Sequence, residues 1–138
     1  ICYSTLAQGL LTGRYRNADE VPDGISRSRL FNKNRPLSNH DDEGCENEVF
    51  KCINKIQEIA KTLGENSAKI SLSWVRQQSN ITSLLVGARN TKELEMNLSA
   101  FEYDLSTELL KELSDLTNNV KLYLGKNPDM WKSDNRMR

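Results

Sequence analysis

Residues 81–93 constrain this chain most: the run Ile-Thr-Ser-Leu-Leu-Val, then Gly87, then Ala-Arg-Asn-Thr-Lys-Glu. A short, largely apolar run closed by glycine fits a strand covered on both faces, as in a parallel sheet, although the period alone also admits helix. Asn90, with Glu93 three residues on, has the spacing of a helix start with reciprocal capping. A strand that turns through a glycine directly into a helix is the repeating step of an α/β sheet.

A second strand-like segment, Ile1–Ser4, runs into a loop from Thr5 to Gly13 that holds Gly9, Gly13 and several small side chains. Residues 14–47 contain few apolar side chains and many turn formers, among them Pro22, Asp23, Gly24, Asn32, Asn34, Pro36 and Asn39. Long excursions of this kind in compact domains tend to be functional or mobile. From Asn47 the period becomes helical: Val49, Phe50, Ile53, Ile56, Ile59, Ala60 and Leu63 recur at three- and four-residue spacing, and Gly64 supplies the stop. Ser67 is placed to cap a shorter helix with Ile70, Leu72, Trp74 and Val75 on its buried face. After Gly87 the expected apolar side of the next helix is Leu94, Leu98 and Phe101. Ser106 caps a further helix with Leu109, Leu110, Leu113 and Leu116 inward. The tail from 125 to 138 is polar and basic (Lys126, Lys132, Arg136, Arg138), with Trp131 as its large anchor.

The order strand, long loop, helices, strand, helices predicts a parallel α/β arrangement. Two parallel strands alone would leave edges and faces uncovered, which a stable isolated domain avoids. The chain also opens inside a predicted strand, without methionine. The expectation is a piece of a larger domain, with residues missing before Ile1.

Nineteen basic and nineteen acidic residues give zero formal net charge. No overall field therefore favours nucleic acid or an anionic membrane. Mean hydropathy is -0.64, and no apolar run approaches a membrane span or a secretion signal, so a cytoplasmic location with no membrane insertion is expected. Three cysteines without CxxC spacing and a single histidine argue against zinc and for reduced thiols. Cys52 is expected on the buried side of its helix, Cys45 exposed enough to be modified, and His40 at the surface beside Asp41 and Asp42.

Both loops follow the carboxyl end of a strand, where α/β sheets place their ligands. In the first, small residues let backbone amides approach phosphate oxygens; Arg14 and Arg16 supply positive charge, and Tyr3 offers a flat face. In the second, the helix N-terminus attracts anions and the Arg89 fork suits a phosphate monoester. Each loop alone also describes an ordinary strand-to-loop turn. Together they describe one extended anionic ligand crossing the sheet edge.

The stretch YSTLAQGLLTGRY resembles the seventh strand and following loop of aldo-keto reductases. LLVGARNTKELEMNLSAFEYDLS is similar to their eighth strand, loop and helix, and NSAKISLSWVRQQSNITSLLVGARN joins the two regions; the resemblance runs from Ile1 to about Leu116. The subgroup it resembles is the one containing bacterial general-stress reductases and the β-subunits of voltage-gated potassium channels. The resemblance implies α/β architecture: the C-terminal part of a (β/α)8 TIM barrel, comprising its last two strands and their helices. Residues 1–46 would carry strand 7 and the cofactor loop, 47–80 helices, 81–124 strand 8 and the C-terminal helices, and 125–138 the tail. A whole barrel takes about 250 residues.

By the same resemblance, the parent reduces a small carbonyl substrate with NADPH, forming NADP. Tyr3 would stack on the nicotinamide. Ser4, Leu6, Gln8 and Gly9 would line the pyrophosphate, with Arg14 as its cationic partner. Arg27 would come from the loop that folds over the cofactor, with Arg29 as its neighbour. Gly87 and Arg89 would hold the 2′-phosphate, with Glu93 and Asn97 near the adenine. Met96 and Glu93 depart from a common glutamate and glutamine, and Thr5 from a common proline. The family's catalytic tyrosine, lysine, aspartate and histidine would lie before Ile1, so the 138 residues alone are expected to be inactive and poorly folded. The implied partners are the missing barrel half or a second copy in a homo-oligomer. Two other classes remain open at this point: a non-catalytic NADPH-sensing subunit, and a helical interaction module.

Overall fold

The computed structural model describes residues 1–127 and 129–131; Lys132, Arg136 and Arg138 of the expected basic tail lie outside the described residues. The α-helices among them are α1 (Glu46–Thr62), α2 (Ser67–Arg76), α3 (Thr91–Ser99), α4 (Thr107–Leu116) and α5 (Asn118–Leu124). None is long and apolar enough to cross a membrane.

The helical spacing after residue 47 holds over most of its length: Val49, Phe50, Ile53, Ile56 and Ala60 of α1 are buried, Ile59 is half-buried, and Leu63, just past the end of α1, is exposed. Glu46 and Glu48 lie in its first turn and Lys61 in its last, matching the helix dipole. The cap of α2 falls one residue earlier than predicted. Asn66, in extended backbone, accepts the Lys69 N–H at 2.8 Å, and Ser67 is the first helical residue. Ile70, Leu72 and Val75 of α2 are buried, while Trp74 is half-buried. For α4, Ser106 Oγ accepts the Leu109 N–H, and Leu113 is the buried leucine.

The strands differ from expectation. Among the described residues, pairing is confined to one parallel bridge, Cys2 to Leu84. The Cys2 N–H donates to the Ser83 carbonyl and the Leu85 N–H to the Cys2 carbonyl, both at 2.9 Å. Ile1, Tyr3 (68% exposed) and Leu85 (59%) are open rather than buried. A parallel strand is held by ladders on its edges and layers on its faces. With one bridge in place, the two segments keep a parallel register without becoming continuous strands.

The buried side of α3 also differs. Leu94, Leu98 and Phe101 are exposed, and the residues turned inward are Asn97 and Ala100. At the end of α3 the contact with α2 runs through backbone: Ser73 Oγ donates to the Ala100 carbonyl at 3.0 Å.

The chain divides into two units. The first comprises Ile1–Arg14 and Ile53–Asp115. Within it α2 packs on α3 and on the 3-10 segment Ala7–Thr12. Trp74 contributes as core with a satisfied polar end, its Nε1 donating to the Leu110 carbonyl and Ser114 Oγ.

The second unit comprises Tyr15–Cys52 and Leu116–Arg138. Its centre is Arg29, a buried residue. The guanidinium pairs with Asp42 and donates to the carbonyls of Leu124 (3.0 Å), Asn127 (3.0 Å) and Asp129 (3.1 Å). The Arg29 backbone N–H donates to the Met130 carbonyl. One side chain thus holds the long loop and the C-terminal segment in register.

Two surface expectations fail in this unit. His40 is buried, its Nδ1 accepting the Asp42 N–H at 3.2 Å. Cys45 is buried too, and burial pushes its thiol up to about 11, so it is neither exposed nor activated. Both errors share a cause: a polar stretch was read as solvated, whereas it wraps around Phe31, which is fully enclosed. Cys52 is buried as expected, its thiol donating to the Leu116 carbonyl.

Candidate functional site

The Cys2–Leu84 bridge brings the two loops side by side, and Thr5 Oγ1 extends the contact by donating to the Leu85 carbonyl at 3.4 Å. The first loop is wound tightly. Ser4 (φ 52°), Ala7 (46°) and Gln8 (56°) all adopt left-handed backbone, as does Gly9 (91°). Left-handed conformations cost L-residues with a Cβ roughly 1–2 kcal/mol each, and such strain gathers at ligand sites. Short hydrogen bonds hold the winding: Ala7 N–H to the Ser4 carbonyl (2.7 Å), Gly9 N–H to the Leu6 carbonyl (2.9 Å), and Thr12 Oγ1 to the Gly9 carbonyl (2.7 Å). Gln57 of α1 fixes the far end through the Gly13 carbonyl, and Leu10 is the buried anchor. A side chain at Gly9 would strike the Arg14 guanidinium, which donates to the Gln8 carbonyl at 3.3 Å.

In the second loop, Asn90 caps α3 by accepting the Glu93 N–H at 2.9 Å. The return contact reaches one residue beyond the cap. Glu93 Oε2 accepts the backbone N–H of Arg89 at 2.8 Å, and its carboxylate takes the Arg89 Nε at 3.0 Å. The Arg89 guanidinium beside Glu93 holds that carboxyl below its ordinary value, with Arg14 acting in the same direction from the other loop. Asn97 Nδ2 donates to the Gly87 carbonyl at 3.1 Å, tying α3 back to the turn. Asn97 Oδ1, in a residue only 5% exposed, has no hydrogen-bond partner among the described residues.

Between the loops lies a cleft of about 850 Å³, within the ~300–1,000 Å³ typical of small-molecule sites. Ser4, Leu6, Gln8, Gly9 and Arg14 line it from the first loop; Gly87, Arg89, Glu93 and Asn97 line it from the second. Tyr3 is not among the lining residues and is largely exposed. Arg27 and Arg16 belong to the other unit. There Arg27 lies 5.2 Å over the Trp131 ring and Arg16 pairs with Glu20 at 2.9 Å. Sequence reasoning missed Thr12, Asn66 and Ala68 in the lining. Asn66 carried a helix-cap signal, but nothing in its spacing placed that cap beside the cleft.

The family model for the Aldo/keto reductase family matches residues 1–118. The chain belongs to the aldo/keto reductase family. An L-glyceraldehyde 3-phosphate reductase of Escherichia coli O157:H7 is 33% identical over 114 residues, covering 82% of this chain and 32% of that protein. The NADP(+) aldo-keto reductase yakc of Schizosaccharomyces pombe is 27% identical over 124 residues, covering 88% of this chain and 34% of that protein. The chain spans about a third of the length of these curated relatives. Among solved structures, a glycerol dehydrogenase of Gluconobacter oxydans superposes with a TM-score of 0.63 at 20% identity. That superposition covers 93% of this aldo/keto reductase chain and 36% of the dehydrogenase, and shows a shared α/β fold.

Proposed function

We propose that this chain supplies the cofactor-binding loops of an NADPH-dependent aldo-keto reductase acting on aldehydes or ketones, as the last two strand–helix steps of a (β/α)8 barrel. The observation that carries this reading is the single cleft shared by both loops. It places Arg14 and Arg89 on one cavity together with strained, amide-rich backbone, suited to a ligand with several phosphates. The buried, unpartnered Asn97 Oδ1 fits a ligand that brings its own hydrogen-bond donor, such as the exocyclic amine of adenine. NADPH, when bound, supplies the hydride. The residues here do the holding: Ser4, Leu6, Gln8, Gly9 and Arg14 toward the pyrophosphate, Gly87 and Arg89 toward the 2′-phosphate, Glu93 and Asn97 toward the adenosine. Tyr3 would meet the nicotinamide, and Arg27 would come from the loop that folds over the cofactor.

No residue of the cleft forms a tyrosine–lysine–aspartate proton-donating group, so proton transfer to the carbonyl is assigned to residues outside this segment. Small carbonyl compounds are the substrate class. The test is a titration of the full chain with NADPH, following nicotinamide fluorescence. A saturable shift supports the reading; its absence, with NADH equally silent, overturns it.

A further inference from the structure

The anion position of the second loop is occupied by the chain itself. An incoming phosphate at this turn would use the Arg89 fork and the backbone amides at the start of α3. Glu93 already holds the fork, accepting from the guanidinium through Nε at 3.0 Å, and with it the Arg89 backbone N–H just ahead of the α3 cap at 2.8 Å. The carboxylate stays ionised at neutral pH, because Arg89 first, and Arg14 to a lesser degree, favour its charged form. The cleft also reaches Asn97, four residues along the same helix, a buried residue whose Oδ1 has no hydrogen-bond partner among the described residues.

From this geometry we infer that Glu93 sets the cofactor selectivity of the site, weakening the preference for a 2′-phosphorylated dinucleotide over its unphosphorylated counterpart. The inference rests on the cofactor reading above and adds the residue that tunes it. A phosphate monoester must displace the Glu93 carboxylate from Arg89 and then sit beside its negative charge. A ribose 2′-hydroxyl makes the opposite demand: it donates, and a carboxylate at that place accepts, the solution many dinucleotide sites use for the unphosphorylated cofactor. Glutamine keeps the length and the acceptor oxygen that caps the turn while removing the charge. Glu93 is a specificity residue, and no bond is made or broken by it.

The test compares the full chain with its Glu93→Gln variant, titrating NADPH and NADH separately by nicotinamide fluorescence and confirming equal melting temperatures. Removing one charge beside a phosphate dianion in a partly solvated site is worth roughly tenfold in affinity. Glu93→Gln should therefore tighten NADPH by about tenfold and change NADH by less than about threefold, so the ratio of the two constants moves. A purely structural role would shift both cofactors together; that result, or an unchanged ratio, overturns the selectivity role while leaving the cofactor site standing. Failure of both proteins to bind either nucleotide overturns this inference and the cofactor reading at once.

Discussion

Arg29 is the single side chain whose loss should cost the second unit most. It is 6% exposed and makes an ion pair with Asp42 plus three hydrogen bonds to backbone carbonyls. Replacing it with methionine keeps the apolar stem and removes the charge. Breaking a buried ion pair by deleting one partner costs ~3–5 kcal/mol, because the other charge is left uncompensated. Asp42 retains some access to water, with 19% of its side chain exposed, which places the expected loss near ~3 kcal/mol. For a chain of this length that is a fall in Tm of about 10 °C. Urea denaturation of the full chain gives the stability change. Hydrogen exchange resolved by peptide gives its location, with faster exchange expected in residues 25–45 and 116–131 and little change in 67–100. Arg29→Lys should recover less than half of the loss, because an ammonium cannot reach four acceptors in one plane. A stability change below ~1 kcal/mol for Arg29→Met would refute the role of this network.

Further expectations follow from single sites. Arg89→Ala should weaken NADPH by tenfold or more and NADH much less, since only NADPH carries the 2′-phosphate; equal losses in the two titrations would remove Arg89 from that role. Gly44→Ala should destabilise by about 2 kcal/mol or more, because Gly44 has φ 75° and a Cβ there would enter the Phe31 backbone; the urea midpoint measures it. Glu46 has its carboxyl held below the ordinary 4.5, chiefly by the Arg35 guanidinium, which donates to it at 2.8 Å. Its contribution is therefore present above pH 4.5 and lost as pH falls through the lowered folded value, so the stability gap between the chain and Glu46→Gln should narrow on acidification. Exposed Leu85, Leu94, Leu98 and Tyr3 should make the chain bind an apolar dye and associate with rising concentration; a monomer that leaves the dye dark at every concentration would contradict that.

Helices were legible in the sequence because their signals are local. The run from Val49 to Ala60 repeats at helical spacing, and Asn90 and Ser106 are capping residues followed by suitable partners. Burial direction was less legible. Leu94 and Leu98 are apolar residues of α3, yet Asn97 and Ala100 are the buried ones, because what touches a helix is settled by distant sequence. The stretch around His40 and Cys45 misled for a related reason. Its composition is polar, but Asp42 is drawn to Arg29 and the Cys45 N–H to the Leu30 carbonyl, and this tethering goes with burial of His40 and Cys45 while Asp41 and Glu43 stay exposed.

For the site, the sequence supplied residue types and the resemblance supplied their roles, while the decisive local geometry was visible in neither. In the first loop Ser4, Ala7 and Gln8 share the left-handed backbone with Gly9, which the residue types of the loop do not signal. Glu93 was a departure from a common glutamine near the adenine. Its contact with the Arg89 N–H makes it an internal anion at the mouth of the proposed phosphate site. A capping box predicts that a glutamate will reach back along the chain, but not that an arginine there will be drawn into the same grip. The same four-residue spacing that stabilises the start of α3 therefore sets a competition between the protein's own carboxylate and an incoming phosphate. Selectivity at this site then depends on how firmly Arg89 is held before any ligand arrives.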